Sequence, residues 1–204
     1  MGTKPVLGAL FDTGKIPTIA LCNQAKTPLG LGLPQLCTAL QAFLDSYLSP
    51  IWGPRARLQL KTQPDPGDWG LLLLDSTDQA GALGYHSLTK DGFPQGLVFV
   101  QTVMQYHEQL SVTLCHELAE LLVNPGCQLL AEDDQGVGYA LEACDPCQAN
   151  TFLLQGFAMS DFVLPSWFQD WRTRQQTPFD LLGIIQQPLT LAPGGYMNVK
   201  KAGR

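Results

Sequence analysis

The sequence predicts an α/β fold of the α+β kind, closed by a short irregular and β-hairpin C-terminal part. Three observations carry this. Apolar runs of strand length recur through the first half of the chain. Two longer segments keep a helical period near 3.6. After the second of these, glycines, prolines and short apolar runs take over.

The 204 residues suit one domain, or one domain with an appended subdomain. Hydrophobic residues make up 45% and charged residues only 15%, which fits a packed core and excludes a disordered chain. The net charge is −6, and the one basic group is the tail Lys200, Lys201 and Arg204. A nucleic-acid partner is therefore disfavoured, and a neutral or basic substrate is easier to accommodate. No stretch approaches the ~20 apolar residues of a membrane span. The run Val6–Phe11 is broken at Asp12, too early for a signal peptide. The expectation is a cytoplasmic protein without a membrane partner. Six cysteines lack the spacing of a small disulfide scaffold. Of these, Cys37 and Cys115 fall on apolar stripes and read as buried thiols.

Taken in order, residues 1–17 read as irregular, with Gly14 and Pro17 as breakers. Thr18–Asn23 is an apolar run of strand length. Pro34 opens a helix, where its missing N–H costs nothing. Leu36, Leu40, Phe43, Leu44, Tyr47 and Leu48 give that helix one buried face, and Pro50 and Gly53 are expected to end it. Arg57–Lys61 alternates like a half-exposed strand. Trp69–Leu74 is continuously apolar, as in a strand buried on both faces. Ala82–Leu88 is weaker and reads as an edge strand. Leu97–Val103, rich in β-branched residues, reads as another buried strand.

A second helix follows, over about 109–123. Cys115, Leu118, Ala119 and Leu122 share one apolar stripe, and Pro125 stops the helix. Beyond it, Cys127–Gly138 reads as a loop containing Glu132, Asp133 and Asp134. Phe152–Phe157 and Ser160–Leu164 read as a hairpin about Gly156. Pro165–Trp171 is an aromatic segment expected on the core. A short helix is expected around Phe179–Ile185, then an irregular tail from Ala192.

The second helix also carries the chemistry. His116 and Glu120 stand one turn apart on a stripe of their own, with Glu117 beside them. An imidazole and a carboxylate at that spacing can reach one divalent ion, and a neighbouring glutamate can serve as general base. This is the logic of His-Glu-x-x-His with the second histidine replaced by glutamate. The same residues also fit a surface helix with solvated glutamates, so the motif alone leaves both readings open.

The order strand, helix, strand, strand, edge strand, strand, helix, ending in His-Glu-x-x, resembles the N-terminal half of zincin metallopeptidases. The resemblance implies a zincin-like fold: a small mixed, mostly parallel sheet with the active-site helix on one face. It divides the chain into an N-terminal subdomain (1–126) and a C-terminal one (127–204) that supplies the third metal ligand. It makes Gly84–Leu88, with Tyr85 and His86, a substrate rim where an extended peptide would pair. Residues 110–170 also resemble a group of uncharacterised bacterial and phage proteins. They share His-Glu-Leu-x-Glu (His116–Glu120), Glu-x-x-Asp-Pro (Glu142–Pro146) and Ser-Asp-Phe-x-x-Pro-x-Trp-Phe (Ser160–Phe168). Asn124 stands where that group has an aspartate before the proline.

By this resemblance Glu142 is the third ligand and Asp145 steadies His116 from behind. Asp145 as the ligand itself is the alternative, and a capping pair near a turn also fits both residues. Cys144-Asp-Pro-Cys147 with Cys127 falls short of the four ligands of a structural zinc site, and inert or paired thiols are expected. His107 reads as a surface residue. Met159 reads as core, or as a floor beneath a metal.

The expected function is zinc-dependent hydrolysis of a peptide or protein substrate. Glu117 is the general base, His116, Glu120 and Glu142 the ligands, and manganese or another divalent metal an alternative to zinc. A zincin fold used for binding or assembly, phage-encoded and associated with a virion, is the second expectation. A di-iron carboxylate bundle is excluded, because it needs paired Glu-x-x-His helices that are missing here.

Overall fold

The computed structural model describes residues 16–133, 135–168 and 178–201. The expected irregular start before residue 16, Asp134, and the stretch around Trp171 lie outside the described residues.

Strands β1 (Thr18–Asn23), β2 (Arg57–Lys61), β3 (Trp69–Leu74), β4 (Gly84–Leu88) and β5 (Pro94–Phe99) form one sheet in the order β2-β1-β3-β5-β4. All pairs are parallel except β4 with β5, so the sheet is mixed and mostly parallel with an antiparallel edge. The register decides what shares a face. Leu21 stands opposite Leu71, Leu71 opposite Gly96, and Gly96 opposite His86. Leu73 stands opposite Val98, and Val98 opposite Gly84. One face thus runs from aliphatic residues at the centre to two glycines and a histidine at the edge.

That face is covered by α1 (Leu33–Phe43) and, further along the chain, by the motif helix. Leu36, Leu40 and Phe43 of α1 join Ile19, Leu21, Leu71, Leu73 and Val98 in the main core. Trp69–Leu74 is therefore less enclosed than its apolar run suggested. Leu71 and Leu73 are fully buried, while Leu72 and Leu74 are half-buried on the opposite face.

Pro50 does not end the first helix. A wide turn, Leu44–Leu48, leads into α2 (Ser49–Trp52), in which Pro50 sits at the start. The Ser49 N–H bonds back to the Leu44 carbonyl, five residues earlier. The wider turn falls where a proline ring would otherwise meet the carbonyl four residues before it. Gly53, at φ 98°, stops the helix.

Leu97–Val103 is also not one strand. The strand ends at Phe99 and α3 (Val100–Gln105) follows. Val100 and Val103 are buried in the core and the Gln101 N–H bonds the Asp75 carbonyl, so tertiary packing overrides β-propensity. The motif helix α4 (Leu110–Val123) then crosses the sheet.

Beyond it, β6 (Leu130–Glu132) and β7 (Val137–Ala140) make a hairpin where a loop was expected. Asp133 Oδ1 accepts from the Gln135 and Val137 N–H groups at 2.9 Å and closes the turn. The expected hairpin about Gly156 forms as β8 (Thr151–Leu154) and β9 (Phe157–Ser160), so its second strand ends at Ser160, where the sequence suggested that it begins. Phe179–Ile185 is turn rather than helix, because the buried Asp180 carboxylate draws in the Ile184 and Ile185 N–H groups. The tail is held. Ala192 N–H bonds the Pro146 carbonyl, Tyr196 N–H bonds the Asp145 carbonyl, and β10 (Val199–Lys201) pairs with β7.

The main core takes Leu141, Ala143, Cys144, Met159 and Phe162 from beyond residue 127 along with the sheet and helix residues before it. No helix among the described residues is long and apolar enough to cross a membrane.

Candidate metal centre

α4 approaches the sheet edge closely because two glycines lie beneath it. A Cβ on Gly84 would stand 2.7 Å from Glu117 Oε1 and 2.8 Å from the Leu97 carbonyl, and one on Gly96 would stand 3.6 Å from Glu117 Cβ. The glutamate lies flat in the space those side chains would fill. Gly84→Ala is expected to cost about 1–3 kcal/mol as overpacking, read as a lower denaturant midpoint with an unchanged m-value.

The two stripes of α4 are both buried. Cys115, Leu118 and Ala119 are 0% exposed, and Glu117 and Glu120 only 5% and 4%. The glutamates of the motif are not solvated. His116 Nε2 lies 3.3 Å from Glu120 Oε1 and 3.2 Å from Asp145 Oδ1. Glu120 Oε1 also accepts the Cys144 and Asp145 N–H groups, at 3.1 and 3.3 Å. These two bonds fix the tight turn Asp145–Cys147, started by Pro146, against the helix.

Glu142 lies elsewhere in the cluster. Its Oε1 accepts from Asn124 Nδ2 at 3.1 Å, and its Oε2 lies 3.5 Å from His86 Nε2. The short contacts of His116 are thus to Glu120 and Asp145, and those of Glu142 are to His86 and Asn124.

His86 is 9% exposed and sits in the centre of the cluster rather than on an open rim. Its Nε2 is 3.0 Å from the Asn124 carbonyl, and its Nδ1 is 3.9 Å from Glu117 Oε2 and 3.8 Å from Glu120 Oε2. Tyr85, next in the strand, faces the other side of the sheet. Its ring packs on Phe99 and its hydroxyl donates to Asp78, so it does not join the cluster. His107 is exposed in the turn after α3. Met159 is a core residue at 0% exposure. All six cysteines are free thiols. Cys144 is buried beside Glu120, and the Cys127 thiol donates to the His86 carbonyl.

Sequence reasoning marked Asn124 only as a departure from a resembling pattern and gave it no part in the site. It is fully buried and makes contacts in four directions. Its Oδ1 accepts the Gln128 and Leu129 N–H groups, its amide donates to Glu142, and its carbonyl accepts from His86. An aspartate here would set another carboxylate against Glu142. Asn124→Asp is expected to destabilise the metal-free protein by about 1–3 kcal/mol, measured by chemical denaturation.

Among the described residues, the only basic side chains that contact these carboxylates are the two histidines. Burial pushes Glu117 up to about 8, with Glu120 and Asp145 adding to it against His116. Burial pushes Glu142 up to about 9, helped by Glu120 and Asp145. Asp145 is raised by its burial and by Glu120. Burial alone would lower His116, but Glu120 and Asp145 overcome it and hold the imidazole well above its usual value. Glu120 goes the other way. Against its burial, His116 chiefly, then His86 and the Cys144 N–H, hold it low. His86 is lowered by burial.

The donor set fits a divalent cation. Glu117 Oε2 and Glu142 Oε2 are buried without a hydrogen-bond partner, a costly condition unless something positive stands near them. Ligand atoms of His116, Glu120 and Cys144 lie within 4.8 Å of one another, as do those of His86, Glu117 and Glu120. Imidazole with carboxylates suits zinc, and equally manganese.

No family model matches the chain, and neither a curated protein nor a solved structure matches it.

Proposed function

We propose that this chain is a metal-dependent peptidase of the zincin kind, taking zinc or another divalent metal such as manganese. One observation carries the reading: a helix lays His-Glu-x-x-Glu under an antiparallel edge strand, with its glutamates buried and, among the described residues, in contact with imidazole but with no lysine or arginine.

His116 and Glu120 are the ligands from the helix. Asp145 supplies the third in preference to Glu142, because its Oδ1 faces the same imidazole nitrogen as Glu120 Oε1. When bound, the ion supplies Lewis acidity and makes water more acidic. Glu117, one residue along, takes a proton from the attacking water and hands it to the leaving amine. Its burial keeps it basic enough for the first transfer. Two carboxylate ligands donate more negative charge than two histidines, so turnover is expected to be slow.

The substrate is a peptide in extended form, lying along β4. In an antiparallel ladder, alternate residues turn their backbone groups outward. Leu83 and Thr89 are bonded to the β5 side, so Gly84, His86 and Leu88 face the free edge. The Cys127 thiol holds the His86 carbonyl, so pairing is confined to the Gly84 end unless that bond gives way.

The test is metal content after purification without added metal, for wild type, Asp145→Ala and Glu142→Ala, followed by a peptide-library cleavage screen. Loss of the tightly held ion in Asp145→Ala and its retention in Glu142→Ala is the expected result. The reverse pattern would return the third-ligand role to Glu142. No metal in any of the proteins would leave a binding or assembly role as the better reading.

A further inference from the structure

We infer that the centre takes a second divalent cation, held by His86 Nδ1, Glu117 Oε2 and the far oxygen of Glu120, and that this ion suspends Glu117 as a base.

The argument starts from the tautomer of His86. Its Nε2 is 3.0 Å from the Asn124 carbonyl, and a carbonyl oxygen only accepts. The proton is therefore on Nε2, and the lone pair of Nδ1 points at Glu117 Oε2 and Glu120 Oε2, at 3.9 and 3.8 Å. Neither separation is a hydrogen bond. Glu117 Oε2 has no hydrogen-bond partner although Glu117 is only 5% exposed. Three ligand atoms thus converge with no hydrogen bond between them, on a gap in which they all lie within 4.8 Å of one another. Bonds of about 2.0–2.2 Å from a central ion need donor atoms at such separations, with modest contraction.

This position differs from the first one. Glu120 turns Oε1 to His116 and Oε2 to His86, so one carboxylate joins two imidazoles that address opposite sides of it. Charge favours the pair. Glu117, Glu120, Glu142 and Asp145 contact no lysine or arginine among the described residues, and one divalent ion matches only two of these four carboxyl groups once they ionise. A competing group, His86 with Cys127 and Glu142, would need the His86 nitrogen already committed to Asn124.

The consequence for activity rests on the peptidase reading. With Glu117 bound to the second ion, it cannot accept a proton. Activity rises with the first equivalent of metal and falls with the second. The position itself is tested without activity.

Full-length protein is stripped of metal and titrated with manganese alone, with bound metal counted by elemental analysis and spin state read by electron paramagnetic resonance. Wild type is expected to hold two ions per chain with a spin-coupled spectrum. His86→Gln is expected to hold one, with an uncoupled six-line spectrum. Should His86→Gln fail to fold, the near-isosteric Glu117→Gln is read in the same way. One ion in wild type, or two coupled ions in both variants, overturns the proposal. A single ion lost in His116→Ala would overturn this proposal and leave the peptidase reading intact. Two ions with no peptide cleaved under any condition would do the opposite.

Discussion

Glu117→Gln, assayed at one equivalent of metal, is expected to lower kcat/KM for peptide cleavage by about 10²–10⁴-fold, the usual weight of a general base. The substitution keeps the shape of a side chain that is 5% exposed and lies flat on Gly84 and Gly96, so the helix stays seated. At one equivalent of metal the change that matters is the lost ability to accept a proton. The first metal position proposed above, with His116, Glu120 and Asp145 as ligands, loses none of them, so a tightly bound ion should remain. The pH profile gives an independent check. Burial puts Glu117 at about 8 in the metal-free chain. A bound cation nearby favours the carboxylate form and lowers that value. The rising limb of kcat/KM should therefore lie below pH 8 in the loaded protein and vanish in Glu117→Gln. A variant with an undiminished rate would falsify the base assignment whatever its metal content.

The motif helix was legible because its signals are local. The apolar stripe, the His116–Glu120 spacing and Pro125 set its span without reference to the rest of the fold. The strands at Thr18, Arg57 and Trp69 were legible for the same reason. What was missed depends on partners distant in sequence. Val100–Gln105 is helical because Asp75 and the core receive it, and no local pattern reports that. The β6–β7 hairpin is closed by the Asp133 side chain and completed by a strand from the tail. His86 is the instructive case. Its place on an edge strand was legible, but its part in the cluster follows from a face. Gly84 and His86 point the same way, and the glycine leaves room for the helix that brings Glu117 and Glu120. A glycine two residues before a histidine in a strand was the available signal. Asn124 carried no signal of its own, since its role lies in contacts to Glu142 and His86 that only folding brings together.

The metal-free protein is expected to lose stability steadily from about pH 5 to about pH 9, and a saturating divalent ion at pH 8 to restore about 4 kcal/mol, roughly 10 °C in Tm, at a thousandfold excess over Kd. The sign follows from the direction of each shift. Glu117, Glu142 and Asp145 are raised above their unfolded values, to about 8 and about 9 for the two glutamates, and His116 is raised as well. Each gives stability that is complete below its unfolded pKa and lost as pH rises through its folded one. Glu120 is lowered, so its contribution is present above its unfolded value and is lost only at the acid end, and His86, lowered by burial, works against the trend below its own unfolded value. The sum falls with pH across the neutral range, because buried carboxylates must ionise without a counterion. A divalent ion supplies that counterion and should flatten the slope. It should not flatten it entirely. Asp161, 0% exposed and facing Asp180 away from the centre, is also pushed up, to about 8, by burial and by the Asp180 side chain beside it. Its share of the slope has no metal to relieve it. Thermal melts across this range, with and without zinc, separate the two sources. A metal-free Tm that stays flat or rises with pH would show that the clustered carboxylates carry no such strain. A slope unchanged by zinc would locate it at Asp161 instead.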